Sequence, residues 1–209
     1  MGGDTKNKAV LTSFTISIFL MSSDSRKYDL ALLAIDLQPA FLSVMQTSDD
    51  LVMRCQFTLE VAKLFQLPVF FTEQYPEKLG GTSDNLRSVA PENSRYYAKT
   101  TFSAFGADGL IADFEELQVK HLLVIGLEVP VCVYNTVLEA GGRGIDCTLL
   151  SDCLGARRSG DAEVCLNFLR TSTDCHILPS ETVFYSLLRD AKDSLFREFT
   201  GLVKQYSAQ

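Results

Sequence analysis

Apolar positions along this chain fall into two alternating rhythms. Short unbroken runs at residues 30–35, 69–72, 95–98, 121–125, 145–150 and 176–178 read as strands, most of them buried on both faces. Between them the spacing becomes helical. Residues 49–65 place Leu51, Val52, Cys55, Leu59, Ala62 and Phe65 on one side, with Ser48 positioned to cap the start. Residues 108–118 do the same with Leu110, Ile111, Phe114 and Leu117, and helices are also predicted over 133–142, 161–170 and 194–206. The last is amphipathic; its Leu195, Phe196, Phe199, Leu202 and Val203 would serve either an interface or the core. Pro68 ends the approach to the second strand, and residues 73–93, rich in Gly, Pro, Ser and Asn, form a connection long enough to line a site.

Strands alternating with helices imply an α/β fold of three layers, α/β/α, around a doubly wound, mostly parallel six-stranded sheet. Right-handed crossovers favour the Rossmann-like strand order 3-2-1-4-5-6. In such a sheet the ligand crevice lies beyond the carboxyl ends of the strands, where the order reverses between strands one and four. Three side chains with chemistry stand at such ends: Asp36 after strand one, Lys99 after strand three and Cys132 after strand four. Each has an ordinary role on its own, as turn former, solvated surface and small core residue respectively. Their convergence on one edge of the sheet is what suggests a site. Cys132 also lies near the start of the helix 133–142, where unpaired N–H groups and the helix dipole favour an anion, here the reactive thiolate.

Composition narrows the chemistry. The 209 residues, 46% hydrophobic and 22% charged, suffice for one well-buried domain over 28–209, preceded by an extension over 1–27. A net charge of −7 without a Lys/Arg cluster argues against a nucleic-acid partner. Six irregularly spaced cysteines without a CxxC suit reduced thiols, and two histidines offer little for a metal. Residues 9–21 are apolar but broken by Thr and Ser and too short to span a bilayer. A cytoplasmic location is expected, or a mitochondrial one should the extension, with Lys6 and Lys8, act as a targeting signal.

The blocks around the three residues, AIDLQPAF with Asp36, YAKTTFSAF with Lys99 and VIGLEVPVCVYNT with Cys132, resemble those of the isochorismatase-like cysteine hydrolases in order and separation. The loop TEQYPEKLG from Thr72 resembles the subgroup of isochorismatase domain-containing proteins. That resemblance implies a hydrolase of a small amide or related carbonyl compound, without a cofactor, working through a covalent acyl-enzyme. Cys132 would be the nucleophile, Asp36 its base and Lys99 the cation that holds the thiolate and orients the carboxylate. Backbone N–H groups of Glu128 and Cys132 would form the oxyanion hole, with a cis peptide between Leu127 and Glu128. Family members are often dimers or tetramers, so a homo-oligomer is implied as well.

Lowering the thiol pKa by about two units would take roughly 2.7 kcal/mol of preferential thiolate stabilisation, which an ammonium and a helix start together could supply. Asp36 opposes it, since a second anion is disfavoured beside a carboxylate, leaving the proton shared between acid and thiol. Phe41, Gln74, Tyr75 and Phe102 are placed to line a substrate pocket. Pro130 departs from the commoner polar residue two before the cysteine. The FFTEQYPEKLGG stretch lacks the DxH-type metal motif of the nicotinamidase branch, and the cysteine argues against the vinyl-ether chemistry of isochorismatase itself. A non-catalytic binding protein on the same fold and a nuclease are the two rival readings.

Overall fold

The computed structural model describes residues 29–45, 48–173 and 175–207. The extension over 1–27, Tyr28 and the capping side chain of Ser48 lie outside these described parts.

The chain enters the sheet directly at its centre. Strand β1 (Leu30–Ile35) is buried along its whole length, and its alternate residues go to opposite layers. Leu32 and Ala34 join one apolar cluster while Ala31, Leu33 and Ile35 join the other. An unbroken apolar run is therefore a strand with two cores to serve. A single turn, α1 (Pro39–Leu42), leads to the long helix α2 (Ser48–Leu64) and then to β2 (Val69–Gln74). The connection beyond β2 carries two short helices, α3 (Pro76–Leu79) and α4 (Asp84–Arg87), which Glu73 holds in place. Its Oε1 accepts from Thr82 N at 2.7 Å and Thr82 Oγ1 at 2.8 Å, and it pairs with Arg87. The long connection expected from the sequence is thus an anchored one.

Strand β3 (Arg95–Lys99), a 3-10 turn (Ala104–Gly106), α5 (Leu110–Glu116) and β4 (His121–Gly126) follow. A π turn (Val129–Val133) runs into α6 (Tyr134–Gly142), and β5 (Asp146–Leu154), α7 (Ser159–Ser172) and β6 (His176–Leu178) complete the sheet. Two helices close the chain, α8 (Ser180–Leu188) and α9 (Phe196–Ser207). The helix α8 has no counterpart in the sequence reading. It is nine residues long and starts directly after Pro179, so its few apolar positions hardly establish a period.

All pairings are parallel and the strand order is β3-β2-β1-β4-β5-β6, as the pattern of elements predicts. One face of the sheet is covered by α2, α8 and α9, where Phe57, Phe65, Phe184 and Phe199 pack edge to face or tilted with ring centroids 5.8 to 6.5 Å apart. Phe199 is fully buried and Leu195, Phe196, Leu202 and Val203 pack on the same cluster, so the apolar side of the terminal helix serves the core. The opposite face carries α5, α6 and α7 around Phe70, Phe105 and Phe114. Among the described residues no helix is long and apolar enough to cross a membrane.

Candidate active site

The switch point between β1 and β4 is where the chain becomes irregular. Gly126 ends β4 at φ +122°, and a Cβ there would stand 2.1 Å from the carbonyl oxygen of Ile35, so the two central strands approach too closely for any side chain. The peptide between Leu127 and Glu128 is cis. Asp36, one residue past β1, has φ +52°, a left-handed conformation that Asp and Asn adopt more readily than most residues. Its backbone N–H donates to Thr72 O at 3.0 Å, which turns the carboxylate up over the end of the sheet.

Lys99 joins the three strand ends. Its Nζ lies 2.7 Å from Asp36 Oδ2 and 3.6 Å from Cys132 Sγ, and it also donates to Gln74 Oε1 at 2.5 Å and Thr101 O at 3.2 Å. Three oxygens thus use the three ammonium N–H groups while the sulfur rests against the same charge. The other oxygen of Asp36 accepts from Thr72 Oγ1 at 2.8 Å. Gln74 is held by Gln38, whose Oε1 accepts from Gln74 N at 2.7 Å and whose Nε2 donates to Gln74 O at 3.0 Å. Thr72 and Gln38 were not singled out from the sequence. The signal available was position alone: Thr72 stands opposite Ile35 in the β1–β2 register, and Gln38 is two residues beyond Asp36.

Asp36, Lys99 and Cys132 are 1%, 3% and 7% exposed. Burial lifts the Asp36 carboxyl above its usual value, outweighing the downward pull of Lys99 and of the hydrogen bonds it receives. Burial likewise pushes the Cys132 thiol up to about 12, with Asp36 adding to the rise and Lys99 opposing it. Of the opposing influences named from the sequence, the ammonium that could lower the thiol pKa is outweighed by desolvation of the anion and the neighbouring carboxylate. Cys132 is the fourth residue of the π turn, and the Val131 and Val133 N–H groups donate to Glu128 O at 3.0 and 3.2 Å. The resting pair is a thiol beside an ion-paired carboxylate, a nucleophile whose proton has a short path to a base.

A cavity of about 360 Å³ opens above Cys132. Asp36, Gln74 and Cys132 form its floor, and Phe41, Val44, Phe102, Val131, Glu128 and Arg157 are among its walls. Of the residues expected to line a pocket, Phe41, Gln74 and Phe102 are in this lining. Tyr75 stands outside it, its ring under the Lys78 ammonium at 4.7 Å. Arg157 pairs with Glu128 at the rim. Val44, Val131 and Arg157 have no sequence signal; they lie in the turn after α1, the π turn and the loop after β5, whose proximity only the fold establishes. Among the described residues no three His, Cys, Asp or Glu side chains cluster as metal ligands would.

Comparison with known proteins agrees with this architecture. Isochorismatase domain-containing protein 2 of Homo sapiens is 32% identical over 170 residues, covering 81% of this chain and 80% of the relative. The MAR1 ribonuclease of Caenorhabditis elegans superposes with a TM-score of 0.78 at 24% identity, covering 84% of this chain and 89% of that one. The YcaC gene product of Escherichia coli, described as an octameric hydrolase of unknown specificity, gives 0.75 at 20% identity over 87% and 95% of the two chains. At such identities the two structures speak for the fold alone. The isochorismatase domain matches residues 30–175, so the chain belongs to the isochorismatase family, whose members are generally hydrolases.

Proposed function

We propose that this protein hydrolyses a small amide or related carbonyl compound through Cys132, with Asp36 as the base and Lys99 as the cation between them. The observation that carries this reading is the single ammonium 2.7 Å from the carboxylate and 3.6 Å from the sulfur, with both Asp36 and Cys132 lining a cavity of ligand size. Asp36 takes the thiol proton as the sulfur attacks the carbonyl carbon, so a free thiolate need not accumulate at a pKa near 12. The carbonyl π electrons move to oxygen, where the backbone N–H groups of Glu128 and Cys132 are assigned to receive the oxyanion. Collapse of the adduct expels the amine, which takes the proton from Asp36 and leaves a thioester on Cys132. Water then attacks the thioester, giving its proton to Asp36, and the thiol is restored as the acid product leaves. Lys99 orients Asp36 and balances the negative charge that moves between oxygen and sulfur.

Net charge of −7 and a small, largely apolar cavity favour a small molecule over a nucleic acid, despite the ribonuclease name carried by the worm structure. By likeness to octameric YcaC a homo-oligomer is expected, which light scattering would measure. The test of the reaction is a panel of small amides and esters incubated with wild type and Cys132→Ala in parallel, with mass spectrometry on the intact protein. An acyl adduct on wild type only is the expected result. Turnover that persists undiminished in Cys132→Ala overturns the nucleophile assignment.

A further inference from the structure

The walls of the cavity differ sharply from its floor, and the difference bears on substrate class. Val44, in the turn after α1, and Phe102, on the loop after β3, are 52% and 61% exposed, yet both line the cavity beside the half-buried Phe41 and Val131. Scattered exposed apolar side chains mean little, but here two from distant parts of the chain meet at the mouth of one cavity above a buried nucleophile. The charges lining the same space are already matched. Lys99 is ion-paired with Asp36, and Arg157 is ion-paired with Glu128, whose side chain is 10% exposed. Arg157 is the one cation among the described lining residues and is already paired with Glu128, and Lys99 behind the lining is paired with Asp36, so a substrate anion would have to compete with a carboxylate for either of them.

We infer that the cavity selects uncharged carbonyl compounds with an apolar chain or ring, held between Val44 and Phe102, and rejects analogues that carry a carboxylate at that end. The inference rests on the site described above and deepens its proposed hydrolase role by naming the substrate class. Moving apolar substrate atoms out of water favours binding by about fourfold per buried methylene. A terminal carboxylate would lose its hydration without gaining a free partner, and would stand near Glu128.

The experiment is protection of Cys132 from iodoacetamide, read by peptide mapping, in the presence of acetamide, butyramide or succinamate. Butyramide has two more methylenes than acetamide, and succinamate replaces its terminal methyl with a carboxylate. Half-protection by butyramide is expected at about fifteenfold lower concentration than by acetamide, and succinamate should need at least about tenfold more than butyramide. In Val44→Ser/Phe102→Ser the butyramide-to-acetamide ratio should fall close to one; both positions are exposed enough for the variant to fold. Protection by succinamate equal to that by butyramide would mean that Arg157 leaves Glu128 to read an anion, and overturns the inference. So would an unchanged ratio in the double variant, or no protection by any of the three. Acyl adducts on Cys132 in the same samples report separately on the hydrolase reading, so failure of catalysis and failure of apolar selection are distinguishable.

Discussion

Replacing Asp36 by Asn should make Cys132 more reactive toward an alkylating agent and less competent in catalysis. The substitution keeps the backbone, because Asn tolerates the left-handed φ of +52° and its side-chain oxygen can still accept from Thr72 Oγ1. What it removes is one negative charge. Through the shared ammonium, Asp36 Oδ2 is no more than about 6 Å from the sulfur. At an effective dielectric of 20 that repulsion is worth about 3 kcal/mol, or about two pKa units on the thiol. With a starting pKa of about 12, the thiolate fraction at pH 8 would rise from about 10⁻⁴ to about 10⁻². A less basic thiolate is also a poorer nucleophile, by about tenfold for two units at a Brønsted slope near 0.5. The net expectation is alkylation of Cys132 about tenfold faster, measured by iodoacetamide labelling and peptide mapping at pH 8. Hydrolytic turnover should fall by about 100-fold or more, since no base remains to take the proton. Alkylation that is unchanged or slower in Asp36→Asn would refute the claim that the carboxylate holds the sulfur in its thiol form.

Lys99→Met should cost about 3 kcal/mol, because it strands the Asp36 carboxylate in a site 1% exposed. Thermal unfolding should show this as a Tm about 9 °C lower, and Asp36→Asn/Lys99→Met should recover part of the loss by removing the stranded charge. Stability should also depend on Cys132 at alkaline pH. A thiol raised from 9.0 to about 12 in the folded state favours folding fully below pH 9, and that contribution is lost as pH rises from 9 through 12. Urea titrations across this range should show a steeper decline for wild type than for Cys132→Ala. Gly126→Ala should cost more than about 4 kcal/mol, combining a positive φ with a Cβ that meets the Ile35 carbonyl; soluble protein with a Tm within a few degrees of wild type would contradict the close approach of β1 and β4.

The hydrophobic pattern alone specified a great deal. Unbroken apolar runs at 30–35 and 121–125, with helical spacing between strands, leave a doubly wound parallel sheet as the arrangement that buries them, because only a central strand covered on both faces needs every residue apolar. Strand ends at Asp36 and Lys99 follow from where those runs stop. Partial burial blurred the rest: α8 is too short to display a period, and β5 runs on to Leu154 by pairing with Gly126 beyond an irregularity in the β4–β5 register. What no one-dimensional reading could decide was the balance of charge at the sulfur. Spacing places an ammonium and a helix start near Cys132, but the sign of the thiol's shift depends on how much water the fold removes and on which neighbour is closer. The rim is of the same kind. Val44 and Arg157 carry no signal in the sequence, and with Phe102 and Glu128, which do, they line one cavity only because four separate stretches of the chain converge at the switch point. Local pattern determines which faces must be buried, whereas desolvation and cavity shape are properties of residues far apart in the chain, so they exist only once the sheet has closed.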